Sequence, residues 1–432
     1  MKAFRASILD FTGDPLQGDA ALRHFEDGLL FVEDGRVQSV GDYRRLKDDL
    51  HEGVELIDCS GRLILPGFID AHLHYAQTDI VASRGIDLLD WLRRYTFPAE
   101  AAFADAQVAA ETARFFCREL LRNGSTTALV FATVHPVSVD AIFAEAERLG
   151  MRLIAGKVMM DRHAPQNLLD TPQSGYEQSA ELIERWHGRD RLGYAITPRF
   201  APTSSEEQLE LAGLLWRENP STWLQSHVAE NRDELRWVAE LFPWSRSYLD
   251  VYDRFGLLGE RAVYAHCIHL DEQDRRRLVE SGTTAAFCPT SNLFLGSGLF
   301  DLEQAQREGL SLAWGSDVGG GTSFSLLRTL AEGYKVGQLG GYSASPLRAF
   351  HDLTLGAARA LQLDEHIGNF EPGREADFIV VDFAGSELLA RRIERCETLE
   401  ERLFALMMLG DDRHIESTWL MGECRHRRGE NP

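Results

Sequence analysis

Two histidines one residue apart, His72 and His74, close the apolar run Leu63-Ile-Leu-Pro-Gly-Phe-Ile-Asp-Ala-His-Leu-His74. Along a strand, residues i and i+2 share a face, so both imidazoles can be presented to one ion. The pair alone is a weak signal, because solvated or capping histidines can take the same spacing. A wider set strengthens it: His227, His266 and Asp317 also stand at or just after strand-like apolar runs. Neutral imidazoles with a carboxylate suit a borderline ion such as Zn²⁺, which in catalytic sites keeps one position for water.

Such residues, scattered along the chain, need a scaffold that gathers strand ends. The β-rich runs 63–69, 126–133, 152–160, 192–198, 222–226, 262–265, 283–287 and 311–314 are eight strand candidates. Helical periodicity fills the intervals, as in 101–121 and 271–280. Strand then helix, eight times, predicts an α/β fold, a (β/α)₈ TIM barrel over residues 67–366. Reactive groups in this fold come from the C-terminal ends of different strands, where the five candidates fall. In the N-terminal flank, 1–66, the runs 28–32 and 36–40 bracket Asp34-Gly35, a strong hairpin signal. In the C-terminal flank, 367–432, the runs 376–383 and 417–425 read the same way. Together the flanks predict a small β-sandwich domain built from both termini.

A chain of 432 residues with 44% hydrophobic content has material for one large core and a smaller one. Its net charge of −22 argues against a nucleic-acid backbone or an anionic membrane surface as partner. No apolar run approaches the roughly 20 residues that span a bilayer, and Met1-Lys-Ala-Phe-Arg5 leads into a polar segment without a signal-peptide core, so a cytoplasmic location is expected. The six cysteines are dispersed without Cys-x-x-Cys spacing, which excludes a disulfide framework or a cysteine zinc site from the expectations. Cys267 and Cys288 alone lie near the candidate chemistry.

The Pro66-Gly-Phe-Ile-Asp-Ala-His-Leu-His74 run, the later single histidines and Gly315-Ser-Asp317 resemble the amidohydrolase superfamily. Within it, His74-Tyr-Ala-Gln77, Ile86-Asp-Leu-Leu-Asp-Trp-Leu92, Tyr95-Thr-Phe-Pro-Ala-Glu100, His227-Val-Ala-Glu-Asn-Arg-Asp-Glu234 and Ile367-Gly-Asn-Phe-Glu-Pro-Gly-Arg-Glu-Ala-Asp-Phe378 are similar to the guanine deaminases. The resemblance implies one zinc per subunit, with iron left open, held by His72, His74, His227 and Asp317. Several superfamily members bridge two metals with a lysine at the end of strand four, but that strand here ends Thr197-Pro-Arg-Phe200. Lys157, on strand three, reads as structural or solvated.

What is implied is hydrolytic deamination of guanine at C2 to xanthine and ammonia, a step of purine catabolism, in a homodimer. Zinc would lower the pKa of water toward ~7. Asp317 would take the water's proton, Glu230 would protonate N3 and relay a proton to ammonia, and His266 would donate a hydrogen bond near the attacked carbon. Gln77 and Arg199 would read the O6 and N1 edge, and Phe200 would pack on the ring. Trp91, Tyr95 and Phe97 read first as core. Gly319-Gly-Gly321 lacks the Lys-Ser/Thr of a phosphate loop and reads as a flexible turn. Two alternatives stay open: a sister hydrolase acting on 8-oxoguanine, another aminopurine, an adenosine-like nucleoside or a triazine, and a scaffold without catalysis.

Overall fold

The computed structural model describes residues 1–430; the last two residues of the expected C-terminal flank, 431 and 432, lie outside the described residues. The strands are β1 (Lys2–Phe11), β2 (Leu22–Glu33), β3 (Arg36–Asp42), β4 (Glu55–Pro66), β5 (Phe68–His74), β6 (Ser125–Phe131), β7 (Arg152–Gly156) and the short β8 (Val158–Met159). They continue with β9 (Leu192–Pro198), β10 (Trp223–Val228), β11 (Ala262–His266), β12 (Thr284–Phe287), β13 (Ser311–Trp314), β14 (Phe378–Val381), β15 (Ile415–Leu420) and β16 (Glu423–Arg427).

β5, β6 and β9 are buried along their whole length, as strands covered on both faces must be. Parallel pairing runs β5-β6-β7-β9-β10-β11-β12-β13, and β8 adds to β9. Helices cover the outside; the helix Ala106–Arg122 turns Ala109, Ala113, Phe116 and Leu120, spaced by three and four, into the core. Just past β13 the ring closes onto β5, where the Asp317 N–H donates to the His72 carbonyl at 2.8 Å and the His74 N–H to the Val318 carbonyl at 2.6 Å. The result is a (β/α)₈ barrel, as the alternation of the sequence predicts.

Both termini build a seven-stranded sheet in the order β16-β15-β14-β4-β1-β2-β3. Phe4 on β1 and Trp419 on β15 meet with ring centroids 4.8 Å apart, although three strand spacings separate them. A flat sheet would hold them about 14 Å apart. The sandwich is therefore one sheet curled onto itself around Phe4, Ile8, Leu30, Phe378 and Trp419.

Several element boundaries differ from the sequence reading. The run 63–69 straddles two elements: Leu63 to Pro66 end β4 and pair antiparallel with β14, and the barrel begins at Phe68. Hydrophobicity runs unbroken across the junction, so only Pro66-Gly67 marks it. The run 152–160 divides at Lys157 into β7 and β8. The helix expected over 101–121 starts at Ala106, because the Asp105 carboxylate accepts the Gln107 N–H and caps it. The run 417–425 is a hairpin turning at Met421-Gly422, whose φ values are 50° and 70°.

Candidate active site

β5 carries the first two donors, and its register explains how. Ile69 and Ala71 face the barrel interior with Leu129, Ile154 and Val263, so strict alternation would turn His72 and His74 away from it. Instead the pairing with β6 shifts between Asp70 and Leu73. This bulge resets the faces: Leu73 joins the outer core and both histidines point into the mouth of the barrel. Asp70 fixes the arrangement by accepting the Ser316 N–H at 3.0 Å and the His72 N–H at 3.3 Å, and burial pushes its pKa up to about 7.

His227 lies on β10, His266 ends β11, and Asp317 follows β13. Asp317, His266 and Ala229, next to Glu230, hold φ values of 49°, 73° and 53°. Each costs a non-glycine residue about 1–3 kcal/mol, which the surrounding packing must offset. Glycines leave room for this crowding. A Cβ on Gly315 would come within 2.8 Å of the His72 Cβ, and one on Gly319 would collide with the Gln77 carbonyl oxygen. The 319–321 turn is thus a packed wall of the site rather than the flexible turn expected from composition.

Donor atoms of His72, His74 and His227 lie within 4.8 Å of one another, as do those of His72, His266 and Asp317. His227 Nδ1–H donates to the Arg199 carbonyl at 2.7 Å, which leaves its Nε2 lone pair facing His74 Nε2 at 3.1 Å. His72 Nε2 is buried without a hydrogen-bond partner, 3.2 Å from Asp317 Oδ1. Burial holds the three imidazoles below their usual pKa, in the neutral form that ligates metals. Buried lone pairs so close together are costly unless a cation satisfies them, so the donor set fits a divalent metal.

Glu230 stands on the flank of this group. Its Oε2 is 3.3 Å from His266 Nε2, and its Oε1 accepts the Ser297 hydroxyl at 2.8 Å. His266 Nδ1–H donates to Asn292 Oδ1 at 2.9 Å. Burial raises the Glu230 pKa. For Asp317 burial is outweighed by the neighbouring His72 and His266, and its pKa falls. Burial also pulls His266 down, but Glu230 and Asp317 outweigh it and the net shift is upward. Two carboxyl groups driven in opposite directions can serve as acid and base. Behind them the Glu234 carboxylate accepts the N–H groups of Glu230 at 3.0 Å and Asn231 at 3.1 Å and the Tyr248 hydroxyl at 2.8 Å. The Asn231…Glu234 capping box was a readable signal for this support.

Gln77, Arg199 and Phe200 line the same cavity as His74, His227, His266, Glu230 and Asp317; it holds about 30 Å³, and Trp91 and Leu92 are part of its wall. Beside it lies a space of about 310 Å³, bounded by Trp237 and His163, that shares Leu92 and Phe200 with it. The structure thus brings every sequence-predicted site residue to one mouth of the barrel. Glu100, absent from the sequence candidates, binds Arg199 Nη1 at 2.8 and 2.6 Å and accepts Gln77 Nε2–H at 3.0 Å. Trp91 and Phe97 are buried in one apolar cluster with Phe200, and Tyr95, half-buried, packs against it. Lys157 is fully buried against Asp170, with Nζ 2.5 Å from its Oδ2, which removes the solvated reading. All six cysteines are free.

The amidohydrolase family model matches residues 63–424. The guanine deaminase of Escherichia coli K12 is 49% identical over 99% of this chain and 98% of its own. The solved structure of E. coli guanine deaminase superposes with a TM-score of 0.97 at 49% identity, over 99% of this chain and 100% of that one. Guanine deaminase from C. acetobutylicum, solved with guanine bound in its active site, gives 0.88 at 30% identity over 98% and 99% of the two chains. With that agreement over nearly the full length, the chain belongs to the amidohydrolase family of metal-dependent enzymes, within its guanine deaminase branch.

Proposed function

We propose that this protein is a guanine deaminase that hydrolyses the C2–amino bond of guanine to give xanthine and ammonia. The observation that carries the reading is one cavity lined by Gln77, Arg199, Glu230, Asp317 and two of the three grouped histidines, His74 and His227, with His72 directly beside them. Relatives matching along nearly the whole chain support it. His72, His74, His227 and Asp317 would hold one divalent metal, which we assign as zinc; when bound, it supplies the Lewis acidity that lowers the pKa of water toward ~7.

The chain's own groups handle the protons. Asp317, kept ionised by the imidazoles around it, takes the proton of the water that attacks C2. Glu230, whose pKa burial raises, gives a proton to N3 as C2 becomes tetrahedral. On collapse the relay to the leaving amine, expected of Glu230, falls to Asp317, because Asp317 is the carboxyl group that still holds a proton, while Glu230 takes up the hydroxyl proton. One water proton ends on ammonia and the other replaces the proton that Glu230 gave to N3, so both carboxyl groups regain their starting state. His266, anchored by Asn292, hydrogen-bonds the oxygen attacking C2. Gln77 and Arg199 read the N1 and O6 edge, and Phe200 packs on the ring.

No helix among the described residues is long and apolar enough to cross a membrane. We place the enzyme in purine catabolism in the cytoplasm, as a homodimer with no nucleic-acid or membrane partner. Zinc-loaded protein incubated with guanine, 8-oxoguanine, adenine and a triazine, with ammonia and xanthine followed, tests the activity. Turnover of guanine far above the others supports the reading, and ammonia from another ring alone overturns it.

A further inference from the structure

We propose that Glu100 is a positioning residue that sets substrate specificity by holding the Gln77 amide in one of its two orientations. The proposal rests on the guanine deaminase reading of the site. A glutamine amide presents a donor and an acceptor side by side, and a half-turn about its last bond exchanges them. One orientation matches a ring edge with C=O beside N–H, as in guanine; the other matches an amino group beside a bare ring nitrogen. Gln77 alone would bind both.

The structure removes this freedom. Glu100 and Gln77 are both buried. Glu100, bonded through both oxygens to Arg199 Nη1, is a carboxylate and can only accept, so the Gln77 atom 3.0 Å from its Oε1 must be Nε2. On the opposite side, the Gly319 N–H approaches Gln77 Oε1 at 3.4 Å. A flipped amide would place oxygen against carboxylate and N–H against N–H. The same carboxylate anchors Arg199 by one nitrogen, leaving the rest of the guanidinium to the cavity it lines. One acidic side chain, itself outside the cavity lining, therefore orders both groups that read the purine edge.

The test is the ratio of kcat/KM for guanine over 2,6-diaminopurine, which carries the same 2-amino group but the opposite edge. In Glu100→Gln an acceptor-only group becomes one that can also donate, and the Gln77 amide is free to turn. The ratio is expected to fall about tenfold or more, chiefly through a higher KM for guanine, with metal content unchanged. Glu100→Asp, which keeps an acceptor-only group, should restore part of the ratio even where total activity drops. A purely structural Glu100 would lower both purines by a common factor, and an unchanged ratio in Glu100→Gln overturns the proposal. Should Glu100→Gln not fold, because it strands the Arg199 charge, Glu100→Gln/Arg199→Gln is compared with Arg199→Gln alone. A lower ratio in the double variant supports the lock, and equal ratios overturn it. Wild-type protein that leaves guanine untouched would instead overturn the activity on which the proposal rests.

Discussion

The two ends of the barrel use the same strands for opposite purposes. At the N-terminal end, Ile69, Leu129, Ile154, Ala195, Val263 and Ala313 fill the interior with apolar side chains. The C-terminal end of the helix Leu355–Ala360 and the residue after it seal it: the Trp223 indole N–H donates to the Leu361 carbonyl at 2.9 Å and the Thr284 hydroxyl to the Ala360 carbonyl at 3.0 Å. At the C-terminal end the strands deliver buried imidazoles and carboxyl groups, positive φ values and buried polar atoms without partners. Dry packing at one end offsets the strain and desolvation concentrated at the other. Chemistry and stability therefore respond to different substitutions, although fewer than a strand's length separates them.

Substitutions at the two ends test that division. His227→Ala should have the largest effect, with metal content and ammonia release both lost; elemental analysis beside a turnover assay checks it, and retained stoichiometric metal would remove His227 from the donor set. Glu230→Gln should keep the metal and lose about 10²- to 10⁴-fold in kcat, so near-native turnover would show that another group carries the proton. Arg199→Ala should cut the preference for guanine over 2,6-diaminopurine, which keeps the 2-amino group but lacks O6, by about tenfold to a hundredfold, measured as a ratio of kcat/KM, and an unchanged preference would take Arg199 out of the reading role. Leu361→Ala, at the sealed end, should leave kcat/KM within about twofold while costing about 2–5 kcal/mol in a denaturant titration. A large kinetic defect there would mean that the two ends are coupled.

The barrel was legible because eight apolar runs and the helices between them repeat with periods that backbone geometry imposes. The candidate donors could be picked out because they form a set at the ends of separate strands, not because any one of them is unusual there. What was hidden depended on register and contact. Nothing in Ile69-Asp-Ala-His-Leu-His74 announces a bulge, yet without it the two histidines would face away from the interior filled by Ile69 and Ala71. The boundary between β4 and β5 was missed because both strands are buried and apolar across it. Glu100 lay within a stretch of the sequence that already stood out, but a lone glutamate carries no spacing signal; its meaning appears only beside Arg199 and Gln77. Ser297 and Asn292, neutral polar residues beyond β12, carried none either.

The seam of the barrel has one more consequence. The hydrogen bonds that join the last strand to the first are made by the backbones of His72, His74, Asp317 and Val318, so the ring is fastened at the residues that carry its chemistry. Moving the chain ends to a loop elsewhere on the ring would leave that fastening covalently continuous on each side and the donors in place. New ends cut beside residue 317 would put a chain break at the seam and at a candidate metal donor together, so at this joint circular permutation is expected to cost barrel closure and function at once.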